Sequence, residues 1–234
     1  MASAEVGDEQ KREDPTVNLL EQRAAELLGQ PEAVYVPTAT MANEIALRLH
    51  GEPGDELLAE EHSHVLIAEL GGPAAFAGLV TRPLVGDNGR IGAEQIRSAA
   101  RLYDDFHTPK TRVVSIENTH NSSGGRVWPL EELDAVADCC RDLGLRLHLD
   151  GARLFNAAVA LGVPASRISE RADTVTVCLS TGLGCPSLSR PVRLSMSLSR
   201  YSRCARTPTT TQPASSGTAT FGLWCRRGPE CSVC

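Results

Sequence analysis

The sequence predicts an α/β fold built on a mostly parallel sheet. Short apolar runs of strand length alternate with helical stretches through residue 186, and polar clusters follow several of those runs directly. Strands separated by helices must cross over to pair in parallel, and such sheets place ligand-binding groups at the carboxyl ends of their strands.

The elements follow in order. Asp14-Pro15 is a helix start, with aspartate as N-cap and proline in the first turn, and Gly29 is its stop. Val17, Leu20, Ala24, Leu27 and Leu28 give that helix an apolar face. Ala33–Val36 reads as a short buried strand closed by Pro37, and a helix is expected from about Met41 to His50, ended by Gly51. Further strands are expected at Glu56–Ala59, Leu79–Leu84, Arg112–Ile116, Leu145–Asp150 and Thr174–Leu179. The clearest helix between them is Pro129–Leu143, with Gly144 as its cap.

Composition sorts the chain into segments. With 234 residues and 41% hydrophobic content it has material for a sizeable core. No apolar run approaches the ~18 residues of a membrane span. The start, MASAEVGDEQKRED, lacks the basic-then-apolar pattern of a secretory signal, so a soluble, cytoplasmic protein is expected, with no membrane and no nucleic-acid partner. Residues 187–234 differ from the rest: seven Arg, no Lys, a single acid (Glu230), and four of the eight cysteines. This stretch is rich in Ser, Thr and Pro, and no strand or helix period survives in it. The expected organisation is a polar segment over 1–13, one domain over 14–186, and an unrelated, disordered tail over 187–234.

The strand ends carry the chemistry. After Val36 comes Pro37-Thr38-Ala39-Thr40-Met41-Ala42-Asn43, where hydroxyls and free backbone N–H groups at a helix start suit a phosphate; a threonine that merely caps the helix is the plainer reading. No GxxxxGK(S/T) occurs and no GxGxxG follows a strand, which argues against ATP and NAD. Glu60-Glu61-His62-Ser63-His64 offers two histidines without further ligands at zinc spacing, so no metal is expected; an imidazole there can stack on an aromatic cofactor or move a proton. Glu117-Asn118-Thr119-His120-Asn121 is a polar loop suited to substrate contact or to a capped turn. Asp150, ending a buried strand, needs a positive partner: either Arg153 on the next turn or a protonated pyridine nitrogen.

Taken together, EDPTVNLLEQRAAELLG, PTATMAN, HVLIAELGG, RVVSIENTHN, LRLHLDGARLFNAAVALGV and TVCLSTGLGCP resemble, in order, consecutive motifs of the L-threonine aldolases, from about Glu5 to Pro186. The resemblance implies the fold-type-I large domain and the cofactor pyridoxal 5'-phosphate (PLP). The family reaction is cleavage of a small β-hydroxy-amino acid, L-threonine or L-allo-threonine, to glycine and an aldehyde. It assigns Ala39, where the family usually has glycine, and Thr40 to the cofactor phosphate. His64 would lie over the pyridine ring, His120 would approach the substrate hydroxyl, and Asp150 would pair with the ring nitrogen. Arg153 would contact the ring oxygen or the substrate carboxylate.

The pattern breaks at the centre of the chemistry. Where the family has its Schiff-base lysine, directly after the serine of CLSTGLGCP, this sequence has Thr181. Only Lys11 and Lys110 remain in the chain. A hydroxyl cannot replace an amine in that role, so loss of activity is expected. Gln10-Lys11-Arg12 replaces a Val-Tyr-Gly stretch, the family's opening strand motif is not present, and the resemblance stops after Pro186. The family's next strand and small C-terminal domain are accordingly expected to be missing, with Thr174–Leu179 left as an open sheet edge and the tail resembling a shifted reading frame. Two other roles fit parts of the sequence: a non-catalytic subunit that pairs with itself or with an intact aldolase, and metal or nucleic-acid binding by the basic tail, whose Cys225, Cys231 and Cys234 form a C-x5-C-x2-C run.

Overall fold

The structure, a computed structural model, describes residues 5–103, 106–185 and the strand Gly222–Arg226. Its strands are β1 (Glu32–Val36), β2 (Glu56–Glu60), β3 (Val80–Leu84), β4 (Thr111–Glu117), β5 (Arg146–Gly151), β6 (Thr174–Cys178) and β7 (Gly222–Arg226). Its helices are α1 (Pro15–Leu28), α2 (Ala39–His50), α3 (His64–Ile67), α4 (Gly72–Ala75), α5 (Ala93–Ala99), α6 (Leu130–Leu143), α7 (Leu154–Leu161) and α8 (Ala165–Ser169). A 3-10 turn at Glu9–Lys11 precedes them.

Local sequence dictates the helix ends. The Asp14 carboxylate accepts the N–H groups of Thr16 and Val17, both at 3.0 Å, and Pro15 occupies the first turn, where a missing N–H costs nothing. Gly29 and Gly144 close α1 and α6 at φ of 60° and 67°, the left-handed conformation that glycine adopts without strain. α2 starts at Ala39, two residues earlier than its apolar pattern suggests. The Thr38 hydroxyl accepts the Met41 N–H at 3.0 Å and so caps it, as the plainer reading of that residue has it.

All strands form one sheet in the order β1-β7-β6-β5-β4-β2-β3. β3, β2, β4, β5 and β6 pair in parallel, and β7 runs antiparallel between β6 and β1. One face carries Leu58, Val114, Ile116, Leu147, Leu149, Val175 and Val177 against α1 and α5 to α8, forming the main core. The other face lies under α2, where Leu47 packs with Leu57, Ala59 and Val113. Toward the carboxyl ends that second face turns polar, and the functional groups stand there.

The sheet differs from expectation at one place. The tail sequence has no strand period and predicts β6 as an open edge, yet Gly222–Arg226 pairs along both β6 and β1. Backbone pairing depends little on side-chain pattern, and a five-residue segment satisfies two rows of N–H and C=O groups that would otherwise be open. The rest of the predicted tail, including Cys231 and Cys234, lies outside the described residues. On the outer edge, β1 is blunted by α1: the Glu21 carboxylate accepts the Tyr35 N–H at 2.8 Å.

Candidate functional site

The site is assembled from the ends of β2, β4, β5 and β6 and the first half of α2. In the sheet register Glu117 of β4 lies beside Asp150 of β5, which lies beside Thr176 of β6; one step back, Ser115, His148 and Thr174 align in the same way. All six are buried. Side chains two apart on a strand share a face, so these six residues make a polar stripe under α2.

Asp150 is 3% exposed. Its Oδ1 accepts the Ala152 N–H at 3.1 Å and its Oδ2 accepts Nδ2 of Asn43 at 2.9 Å. Burial, reinforced by the charges of Glu117 and Glu69, pushes its pKa up to about 7, against the opposing pull of His64 and Asn43. Arg153 was one candidate partner for it; among the described residues Arg153 makes no ion pair, and its charge acts instead on Glu117. Among the described residues Asp150 therefore has no guanidinium or ammonium partner, and His64 is the one group that offers it positive charge.

His64 opens α3, and its backbone N–H donates to Oε2 of Glu117 at 2.8 Å. Its Nδ1 donates to Oε1 of buried Glu69 at 2.9 Å, and that bond chiefly raises the imidazole pKa. Glu69 also receives Nδ2 of Asn43 at 2.8 Å. Glu44 stands beside Glu69, and burial together with that neighbour raises its pKa to about 9, so it holds its proton at neutral pH. Glu117 is raised too, mainly by burial, although it accepts the N–H groups of His64 and Asn121. The loop after β4 is anchored by Trp128, whose indole N–H donates to the Glu117 carbonyl at 2.9 Å.

His120, expected to approach a substrate hydroxyl, stands on the loop after β4. Its ring is 0% exposed, with Nε2 3.1 Å from Oε2 of Glu60 and 3.8 Å from Glu117. The turn at Asp87–Arg90 lies over it, and a Cβ on Gly89 would come within 2.2 Å of the ring. Glycine at that position lets the backbone seal the imidazole in, and burial holds its pKa below the usual histidine range.

Ala39 and Thr40 are the first two residues of α2, and their amides precede the first intrahelical hydrogen bond. Asn43 follows Thr40 by three residues, so the helix start stands about 5 Å along the axis from the amide that touches Asp150. Thr181 lies just beyond β6, exposed, with its hydroxyl 3.0 Å from Sγ of Cys178. Next to it, Gly182 packs on the turn that carries Arg153, where a Cβ would lie 3.3 Å from the Ala152 carbonyl oxygen and 3.5 Å from the Arg153 Cα. The segment after β6 therefore borders the site, and it carries no amine. Lys110 immediately precedes β4, at the opposite end of the strand from Glu117, roughly 20 Å away at ~3.3 Å per residue. Lys11 lies in the N-terminal turn, 3.6 Å from Asp8.

Comparison with known proteins gives the chain a family. The profile of the beta-eliminating lyase family covers residues 1–188. The chain belongs to that family. Within it the chain is 40% identical over 187 residues to the low specificity L-threonine aldolase of Escherichia coli (strain K12), covering 80% of this chain and 55% of the relative. It is 38% identical over 190 residues to the low-specificity L-threonine aldolase 1 of Arabidopsis thaliana, covering 80% and 53%. The chain is thus a threonine aldolase family member, and it spans about half the length of these relatives. The fold matches a solved threonine aldolase of Leishmania major with a TM-score of 0.64 at 21% identity, over 86% of this chain and 50% of that one. Members of the family depend on PLP.

The residues fit that cofactor in part. A buried carboxylate without a guanidinium or ammonium partner among the described residues suits a protonated ring nitrogen, a half-buried imidazole suits the ring face, and a helix start suits a phosphate. Several buried polar atoms around these groups have no partner, among them Oε2 of Glu69 and the hydroxyls of Ser63, Thr119 and Thr176. Sequence reasoning missed Asn43, Glu69 and His148. The alternation Ser115-x-Glu117, His148-x-Asp150 and Thr174-x-Thr176 was the available signal, since polar residues at every second position of otherwise apolar strands mark a functional face.

Proposed function

We propose that this chain retains the PLP-binding half of a threonine aldolase site and holds the cofactor without a covalent bond, so that it does not cleave threonine faster than free PLP does. The observation that supports the reading is the pairing of a buried, cation-seeking Asp150 with a site border where Thr181 replaces the amine. When bound, PLP supplies an electron sink that weakens bonds at the α-carbon of an attached amino acid. Asp150 would face the ring nitrogen and keep it protonated. Its position over the ring would let His64 exclude water from one side and hold a proton at Nδ1 against Glu69. The amides of Ala39 and Thr40 would take the phosphate, and half-buried Arg153, with no ion pair among the described residues, would take a carboxylate or ring oxygen.

Acetaldehyde released from L-threonine and L-allo-threonine, measured with and without PLP, tests this. The expected rate equals that of PLP alone at the same concentration. A rate near that of the E. coli relative would overturn the proposal. A location in the cytoplasm belongs to the same reading, and fractionation of cells checks it.

A further inference from the structure

We propose that Asn43 is the positioning residue of this site: one buried amide fixes both the carboxylate that faces the cofactor ring nitrogen and the carboxylate that orients the imidazole over the ring. The proposal rests on the non-covalent PLP reading above and names what shapes the pocket. Asn43 is 1% exposed, and its amide is fully used. Nδ2 donates to Oδ2 of Asp150 at 2.9 Å and to Oε1 of Glu69 at 2.8 Å, while Oδ1 lies 3.1 Å from Nε2 of His148.

The direction of this network follows from chemistry. Nδ2 of the amide donates to both carboxylates, so its oxygen faces His148. His148 then carries its proton on Nε2. It is wholly buried, and burial together with nearby His50 pushes its pKa down to about 3, so the ring is neutral and Nδ1 is an acceptor. The Thr174 hydroxyl lies 2.8 Å from that Nδ1 and 2.8 Å from Nε2 of His50, placed to donate to the first and accept from the second, beside a Thr174 backbone contact that also reaches the His148 ring. Every donor along this row points toward Asp150. A reversed tautomer at His148 would set a lone pair against Oδ1 of Asn43. The row therefore holds the amide in one orientation, and the amide holds Asp150 and Glu69, with His64 oriented through Glu69.

Two variants and two ligands test this on the full chain. PLP and its 1-deaza analogue, which has CH in place of the ring nitrogen, are titrated against the unaltered chain, Asn43→Ala and Thr174→Val. Asn43→Ala is expected to bind PLP about tenfold more weakly, the size of one hydrogen bond to a charged group, with a smaller loss for the 1-deaza analogue, which keeps the ring face that His64 covers but has no nitrogen for Asp150. Thr174→Val keeps the amide but frees His148 Nδ1, and is expected to show the same selective loss to a smaller extent. Nitrogen-15 NMR should show His148 solely protonated at Nε2 in the unaltered chain and as mixed tautomers in Thr174→Val. Should Asn43→Ala fail to fold, the Thr174→Val comparison decides. Equal losses for both ligands, or no loss, would overturn the role of Asn43 while leaving PLP binding intact. No PLP binding by the unaltered chain would sink the cofactor reading itself, and this proposal with it.

Discussion

At the scale of single residues, Asp150 is held where an ionised carboxylate is least welcome, buried and beside Glu117 and Glu69. A protein keeps such a group when a ligand supplies the missing cation. Replacing Asp150 with Asn removes that charge and should weaken PLP binding on the order of tenfold to a hundredfold, read from an absorbance titration; unchanged affinity would mean that the ring nitrogen lies elsewhere. Thr181 makes the complementary case. Thr181→Lys returns an amine to the segment that packs on the Arg153 turn. Borohydride reduction in the presence of PLP should then leave a pyridoxyl group at position 181, and a PLP-bound but unlabelled variant would show that this segment turns away from the site. Asp150 and His64 stand out in the sequence because each follows a strand end, and Thr181 only through the family resemblance. Asn43 and Glu69 do not, because nothing in a helix interior or a short loop distinguishes a polar residue facing a cavity from one facing solvent.

At the scale of elements, α2 separates two roles of its threonines. Thr38 caps the helix, so Thr38→Ala should cost about 1 kcal/mol of stability and lower the melting temperature. Thr40 is not the cap. Thr40→Ala should leave melting unchanged yet weaken PLP more than pyridoxal, which has no phosphate; equal effects on both ligands would remove the phosphate from this helix start. β7 supplies another test. If Gly222–Arg226 completes the sheet, its amides should exchange with solvent as slowly as those of Val175 and Val177. Exchange at the rate of an unfolded chain would leave β6 as the sheet's open edge, as its sequence alone suggested. Helices with strong caps, α1 and α6, were readable to within a residue. The short α3, α4 and α8 carry too few residues for a period to register, and β7 is defined by the neighbours it pairs with.

For the whole molecule, the buried acids couple folding to pH. Asp150 and Glu44 have folded pKa values of about 7 and about 9, and Glu117 and His64 are also raised. Each keeps a proton in the folded state that the unfolded chain has already released, so stability contributed below the unfolded values is lost as pH rises through the folded ones. His148 and His120 are shifted downward and act oppositely, but only below their unfolded value of 6.5. Between pH 6.5 and about 9 the acids decide, and the melting temperature of the ligand-free chain should fall steadily; a flat or rising profile would mean that the cluster is hydrated. The α/β class and strand order of the chemistry were legible from alternation and from polar strand ends. The polar stripe itself was not, because it exists only once β4, β5 and β6 are set in register. The central claim, a family site that grips its cofactor without an amine, is tested most directly by mass spectrometry after PLP saturation and borohydride reduction. PLP should bind before reduction, and no stoichiometric pyridoxyl mass should remain on the chain afterwards. A single full equivalent fixed on Lys110 or Lys11 would contradict it.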